Sequence, residues 1–115
     1  GYRRLVRSAI EAADRIRVGV RAVDGLTVPG DPRHHLLSIT SDPSYGESID
    51  VFALGDAMAA RGWHHDRQGP PDGLHLTVSA GNVPIVAEWL EDLAGAVVEA
   101  RVAAPGTATD YATLE

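Results

Sequence analysis

The sequence predicts an α+β fold: a small, mainly antiparallel sheet of about four strands, covered by helices on one face. Hydrophobic periodicity gives the element order α-β-β-α-β-β-α. Connections of hairpin length join the strands in pairs, which favours antiparallel pairing. The chain has 115 residues, a length typical of one domain with one modest core.

Apolar residues at three- to four-residue steps predict the first and last helices. The first helix carries its apolar stripe from Leu5 to Val20, with Arg, Asp and Glu on the other face, and ends near Val20 to Val23. The last spans about residues 83–101 and places five apolar side chains on one stripe: Val86, Trp89, Leu90, Leu93 and Val97. Each helix is therefore expected to bury one face against the sheet.

A shorter helix is predicted at about residues 49–61, burying Leu54 and Met58. Ser48 is a candidate N-cap, with Asp50 placed to favour the positive helix end. Gly62 is a natural residue for a left-handed C-terminal stop.

Four strands are predicted from β-branched and alternating segments. They are residues 26–28, residues 34–40, a short strand opened by Trp63, and a segment after the "QGPPDG" turn in which Leu74, Leu76 and Val78 alternate with His75, Thr77 and Ser79. This alternation predicts one apolar and one polar face. His75 is expected on the polar face.

Composition excludes several classes of function. The formal charge is −6 and the arginines interleave with acids, so no basic surface remains for nucleic acid. The chain has no Cys, which removes disulfides and thiolate chemistry and suits a reducing compartment. All ten basic residues are Arg, so no Lys is present to form a Schiff base. No apolar run reaches the roughly 18 residues of a membrane span.

Five histidines raise the question of a metal site. His34–His35 and His64–His65 are adjacent pairs, and neighbouring side chains on a strand point to opposite faces. Neither pair can chelate one ion from a regular strand, and no H-x-x-x-H pair or Cys completes a set. No metal site is therefore predicted. The G-x-S-x-G elbow of serine hydrolases is also absent.

Four motifs carry a family resemblance: Gly62–Trp63, Pro70–Pro71, the strand "LHLTVS" at residues 74–79, and "WLEDL" at residues 89–93. Their spacing resembles the C-terminal small domain of the sphingosine-1-phosphate lyases, within the group II pyridoxal-phosphate-dependent decarboxylases of fold type I. Upstream, "GYRRLV", "GLTVPGDP" and "IDVFALGDAMAARGW" match the same domain in the same order. The resemblance covers nearly the whole chain.

The resemblance implies that residues 1–104 are a small domain packed on a large domain of a longer chain, in a homodimer. It also implies pyridoxal 5'-phosphate as cofactor of the full-length enzyme, bound to a Lys of that large domain. The implied reaction is a retro-aldol cleavage of a phosphorylated amino alcohol to an aldehyde and phosphoethanolamine. The chain by itself is then expected to bind no cofactor covalently and to catalyse nothing.

Two site residues follow from the resemblance. Related amino-acid decarboxylases carry an Arg at the position of His75, where its guanidinium holds the substrate carboxylate. A His there suits a substrate without that carboxylate. Tyr111, in a flexible tail at residues 105–115, matches a Tyr of the lyases that folds over the active-site mouth. Leu114–Glu115 could be a cloning remnant and carry no weight.

Two alternatives remain open at this point. The parent could be a group II amino-acid decarboxylase acting on an amino-acid substrate, or the chain could be a stand-alone α+β binding or interaction module. A detached small domain should expose an apolar docking surface, whereas a stand-alone module should not. Trp63 and Pro70–Pro71 are expected to shape the base of a pocket completed by another domain. The expected location is cytoplasmic, with membrane association only through sequence upstream of Gly1.

Overall fold

The computed structural model describes residues 2–29, 36–42, 44–46, 48–77 and 84–102. Three helices and four strands alternate along these residues: α1 (Tyr2–Arg21), β1 (Leu26–Thr27), β2 (Leu36–Ser41), α2 (Val51–Ala60), β3 (Asp66–Gln68), β4 (Gly73–Thr77) and α3 (Val86–Val102). The strands form one sheet in the order β1-β2-β4-β3, and every neighbouring pair is antiparallel. The predicted fold class and element order are confirmed.

The core lies between the sheet and the three helices. Four of the five predicted stripe residues of α3 are buried and Leu90 is half-buried. On α1, Ala12, Ala13, Ile16 and Val20 are buried in the same core. From the sheet come Leu37 and Ile39 of β2 and Leu74 of β4, all at most 2% exposed. Because these strand residues alternate with polar ones, the other face of the sheet stays uncovered.

The start of α2 differs from the sequence prediction. Asp50, and not Ser48, is the N-cap: its Oδ1 accepts hydrogen bonds from the backbone N–H groups of Phe52 and Ala53 at 3.0 and 3.1 Å. Ser48 is exposed two residues before the cap. A carboxylate at this position satisfies free N–H groups of the first turn and also favours the positive helix end.

The end of α2 explains why β3 begins later than predicted. The Trp63 N–H donates to Met58 O at 2.9 Å and Gly62 has a φ of 91°, so both residues belong to the helix stop. The chain can enter the sheet only after this stop, and β3 starts at Asp66. The prediction that Trp63 opens the strand is wrong.

Other predicted strand bounds are partly met. β1 ends at Thr27, before Val28, whose carbonyl accepts a hydrogen bond from Arg21 Nη2 at 2.9 Å. β2 is described from Leu36, so His34–His35 lie outside the described residues. Val78 and Ser79, predicted to continue β4, also lie outside them.

Polar contacts hold α2 in place against its neighbours. Arg67 of β3 pairs with Asp56 at 2.9 Å and donates to Phe52 O at 3.1 Å, both on α2. Arg61, at the end of α2, pairs with Glu99 of α3 at 2.8 Å. The Arg67 contacts join the β3–β4 hairpin to α2, and the Arg61–Glu99 pair joins α2 to α3.

Candidate functional site

His75 lies on the uncovered face of the sheet, as the alternation of β4 predicts. Leu74 before it is buried among the helices, so the His75 side chain takes the opposite face. In the sheet register Ser38 of β2 is its partner on one side and Asp66 of β3 on the other. Ser38 Oγ and His75 Nε2 are 3.4 Å apart, within hydrogen-bonding distance. His75 therefore stands in a row of polar side chains.

A polar concavity of 390 Å³ surrounds His75. It is lined by His64, Asp66, Gln68, His75, Leu76 and Thr77. Apart from Leu76, these side chains offer imidazole, carboxylate, amide and hydroxyl groups, which can donate and accept hydrogen bonds with a polar ligand. The uncovered face is thus hydrophilic around the residue that the sequence singles out.

A second cleft, of 330 Å³ and with both apolar and polar walls, lies near the polar concavity. It is bounded by α1, the start of α3 and the segment before β3, and its lining includes Ile16, Trp63, Ile85, Val86 and Trp89. The two hollows share three lining residues: His64, Leu76 and Thr77. Leu76 and Thr77 are the last residues of β4 and have no pairing partner on β3. His64 lies two residues before β3 begins.

The two tryptophans of the cleft direct their indole N–H groups into protein contacts. Trp63 Nε1 donates to Asp92 Oδ2 at 2.7 Å. Trp89 Nε1 donates to His65 Nε2 at 3.1 Å, and the two rings meet edge to face with centroids 5.8 Å apart. Both N–H groups are therefore satisfied within the domain.

The contact with Trp89 fixes the protonation of His65. An indole N–H can only donate, so His65 Nε2 must be the unprotonated acceptor and Nδ1 carries the hydrogen. Nδ1 is buried and has no hydrogen-bond partner. Burial, followed by the charges of Arg67 and His64, lowers the pKa of His65. His65 is a neutral, structural histidine beside the cleft.

The other predicted site features have mixed outcomes. Tyr111 lies outside the described residues. Pro70 and Pro71 are exposed in the β3–β4 turn and do not line the cleft with Trp63. Trp63 lies at the open end of the hairpin and the two prolines at its turn, so they share no hollow within the described residues. The predicted pocket is completed by another domain and stays a prediction.

The histidines of the described ranges do not gather as metal ligands. His64 is exposed, whereas His65 is partly buried against Trp89. Within those ranges no group of three or more His, Asp or Glu side chains could hold an ion.

Sequence reasoning missed Ser38 and the His65–Trp89 pair. The alternation in "LLSIT" would have placed Ser38 on the polar face with His75, although not beside it. Nothing in the sequence signals the contact of His65 with a residue 24 positions away.

The described residues expose few large hydrophobic side chains: Val18, Tyr45 and Val98. An apolar docking surface, expected for a detached domain, is therefore not seen in the part of the chain that the structure describes. The uncovered sheet face is polar instead, and interfaces between domains of one chain are themselves more polar than obligate interfaces. No helix within the described ranges combines the length and apolarity that crossing a membrane requires.

Comparison with known proteins connects this domain to larger enzymes. No family model matches the sequence. A sphingosine-1-phosphate lyase of Arabidopsis thaliana is 32% identical over 109 residues, which is 95% of this chain. This chain is homologous to part of the sphingosine-1-phosphate lyases. A second lyase, from Oryza sativa subsp. japonica, is 31% identical over 84% of the chain. The chain spans only 19% and 17% of the length of these two relatives.

Solved structures agree with the resemblance. The sphingosine-1-phosphate lyase of Burkholderia pseudomallei superposes with a TM-score of 0.73 at 29% identity, over 94% of this chain and 24% of the lyase chain. Glutamate decarboxylase of Lactobacillus brevis gives 0.78 at 15% identity, over 90% of this chain and 25% of that chain, and this likeness concerns the fold alone. The resemblance predicted from the motifs is confirmed.

Proposed function

We propose that this chain is the C-terminal small domain of a pyridoxal-phosphate-dependent carbon–carbon lyase that cleaves a phosphorylated amino alcohol to an aldehyde and phosphoethanolamine. The observation that carries the proposal is the homology to sphingosine-1-phosphate lyases over 95% of the chain. The domain spans residues 1–104, and residues 105–115 form a tail with Tyr111 as a lid over the active site.

The rest of the enzyme is a large domain of the same polypeptide, in a homodimer. The chain accounts for about a fifth of the plant lyase, which leaves room for such a domain. The uncovered, polar face of the sheet is the surface that we assign to it, because the helices already cover the other face. His75 and its concavity would then face the active site between the domains.

The residues of this chain do not suffice to hold pyridoxal phosphate. The sequence contains no Lys, so no side chain here can form the Schiff base with the cofactor. Arg67, a cation of the hairpin, is engaged with Asp56 of α2. The cofactor would supply an electron sink for bond cleavage from the large domain, and this chain would supply contacts to the substrate.

His75 is the substrate-binding residue that we assign to this chain. Its imidazole lacks the planar, permanently charged fork with which an Arg holds a carboxylate. Ser38 Oγ, 3.4 Å from Nε2, gives the ring a fixed neighbour on β2. The position is therefore suited to a substrate that has no α-carboxylate.

The proposal is tested on the longer polypeptide that contains this chain. With pyridoxal phosphate, we expect it to release aldehyde from a phosphorylated amino alcohol and no carbon dioxide from amino acids. The 115-residue chain mixed with pyridoxal phosphate should show no visible Schiff-base band after gel filtration. Carbon dioxide release without aldehyde would instead identify an amino-acid decarboxylase. Turnover by the isolated 115-residue chain would contradict the assignment of this domain.

Replacing the imidazole at the site tests the role of His75. In the longer polypeptide, His75→Arg is expected to lower kcat/KM for the phosphorylated amino alcohol at least about tenfold, because the guanidinium occupies space and adds a charge. The same variant should bind amino acids more tightly, measured by the spectral change of the cofactor on titration. The control is Val98→Arg, which adds the same charge at an exposed position of α3 away from the sheet face assigned to the large domain. Equal effects of the two variants would remove His75 from the site.

A stand-alone binding module is a second candidate function. One observation favours it, the small number of exposed large hydrophobic side chains among the described residues. It predicts a monodisperse 115-residue chain that does not associate with a separately produced large domain. Co-elution of the two pieces in gel filtration would exclude it.

A further inference from the structure

The two charges of β3 lie on opposite sides of the sheet. Asp66 and Gln68 are exposed on the uncovered face, and Arg67 between them turns towards the helices. In the sheet register Asp66 is the partner of His75 on β4. The carboxylate of this strand therefore stands beside His75, whereas the guanidinium does not.

Contacts with α2 hold the Arg67 guanidinium on the helix side. It pairs with Asp56 at 2.9 Å and donates to Phe52 O at 3.1 Å, and its side chain is only 10% exposed. Gly55 leaves space for this contact, because a Cβ built there would lie 3.1 Å from Arg67 Cζ. The positive charge of β3 is thus neutralised by Asp56 and directed away from the concavity around His75.

The concavity is unfavourable for anions. Asp66 supplies a carboxylate to its lining, and no Arg of the described residues lines it. An anion would meet the charge of Asp66 without a permanent cation to offset the repulsion. His75 offers little in return, because Ser38 Oγ already lies 3.4 Å from Nε2, one of its two ring nitrogens. Phosphate and carboxylate groups are therefore disfavoured in this hollow.

Groups that donate hydrogen bonds have suitable partners in the same hollow. The Asp66 carboxylate only accepts, and the side-chain oxygens of Gln68 and Thr77 can accept as well. A bond from an ammonium or a hydroxyl to a carboxylate is charge-assisted and stronger than one between neutral groups. The volume of 390 Å³ is sufficient for a small polar group.

We propose that the concavity around His75 binds the amine-and-hydroxyl part of an amino alcohol, and that Asp66 is the residue that selects it over phosphate and carboxylate groups. This inference rests on the proposed function for the substrate to which that part belongs. It places the phosphate of the substrate outside the concavity. Asp66 becomes a second determinant, beside His75, of the preference for a substrate without an α-carboxylate.

Titration of the 115-residue chain with small probes tests the selectivity. Ethanolamine, inorganic phosphate and acetate are added at neutral pH and equal ionic strength, and the ring proton signals of His75 are followed by NMR. The signals of His75 are assigned by their absence from the His75→Gln variant. Ethanolamine should shift them until the site is saturated, whereas phosphate and acetate should not. No shift with ethanolamine, or an equal affinity for phosphate, would overturn the inference.

Removing the charge of Asp66 separates its role from that of the net charge. Asp66→Asn keeps the size of this exposed side chain and should weaken ethanolamine binding at least about threefold, because an ion pair with the ammonium is lost. Asp72→Asn is the matched control: it removes the same charge from an exposed position in the β3–β4 turn, outside the lining, and should leave binding unchanged. Asp66→Glu, which retains the carboxylate, should retain the preference for ethanolamine over phosphate. Equal losses in Asp66→Asn and Asp72→Asn would contradict the role assigned to Asp66.

The result is separable from that of the proposed function. The titration needs neither cofactor nor turnover, so its failure overturns the role of Asp66 and leaves the aldehyde-release test standing. Selective binding of ethanolamine without aldehyde release from the longer polypeptide would overturn the lyase assignment and retain the site.

Discussion

Replacing Leu74 with alanine is expected to lower the free energy of unfolding by about 2–5 kcal/mol. Leu74 is 1% exposed at the centre of the sheet face that the helices cover. Its contact with α2 is close, since a Cβ built on Gly55 would lie 3.0 Å from Leu74 Cδ2. Alanine would therefore leave a cavity between β4 and α2 that close-packed neighbours can fill only in part.

Urea unfolding at neutral pH measures this loss. Val98→Ala is the matched control, because Val98 is 64% exposed on α3 and its removal should change stability by no more than about 0.5 kcal/mol. A loss below about 1 kcal/mol for Leu74→Ala would show that α2 and β4 are not packed as described.

Local patterns predicted the helices and the face of each strand residue. The apolar stripe of α1 and the alternation in β4 are set by neighbours within a few positions, and periodicity reports them directly. The same patterns placed His75 on the polar face of the sheet. Here the physical cause and the sequence signal are both local.

The errors arise where two local signals compete. Both Ser48 and Asp50 are good N-caps, and only the backbone shows that Asp50 accepts the first free N–H groups of α2. Trp63 has strand propensity, yet its N–H completes the end of α2 and delays the strand to Asp66. Propensity is a weak guide when hydrogen bonds of a helix terminus decide the conformation.

The site could not be assembled from sequence because its contacts are long-range. The central pairing of β2 with β4 brings Ser38 to His75 across 37 positions, with α2 and β3 between them in the chain. Nearness in sequence was misleading in the hairpin, where Trp63 lies at the open end and Pro70–Pro71 at the turn. Sheet order, which no single strand encodes, decides which polar residues meet.

Acidification is expected to destabilise the domain through His65. Burial lowers the pKa of His65 below the ordinary value of 6.5. Between that value and the lower folded value, the unfolded chain binds a proton that the folded chain does not, so folding becomes less favourable as pH falls. Above pH 6.5 His65 is neutral in both the folded and the unfolded chain, so this loss of stability is absent. The pKa values of Asp42 and Glu99 are also lowered, from 3.8 and 4.5. The stability that these two carboxylates contribute is therefore lost at lower pH than the contribution of His65.

The variant that tests this is His65→Phe, which keeps a planar ring and removes the titration. At about pH 7.5 it should be less stable than the unaltered chain by about 1–3 kcal/mol, because the Trp89 indole N–H loses its acceptor in a buried place. From about pH 7.5 to 5, urea unfolding should show a smaller loss of stability in the variant than in the unaltered chain. His64→Phe, the same change at the exposed neighbour, controls for removing an imidazole from this segment. Identical pH slopes for His65→Phe and the unaltered chain would mean that His65 binds its proton as readily in the folded domain as in the unfolded chain. That outcome would contradict the lowered pKa and the acceptor role of Nε2 towards Trp89.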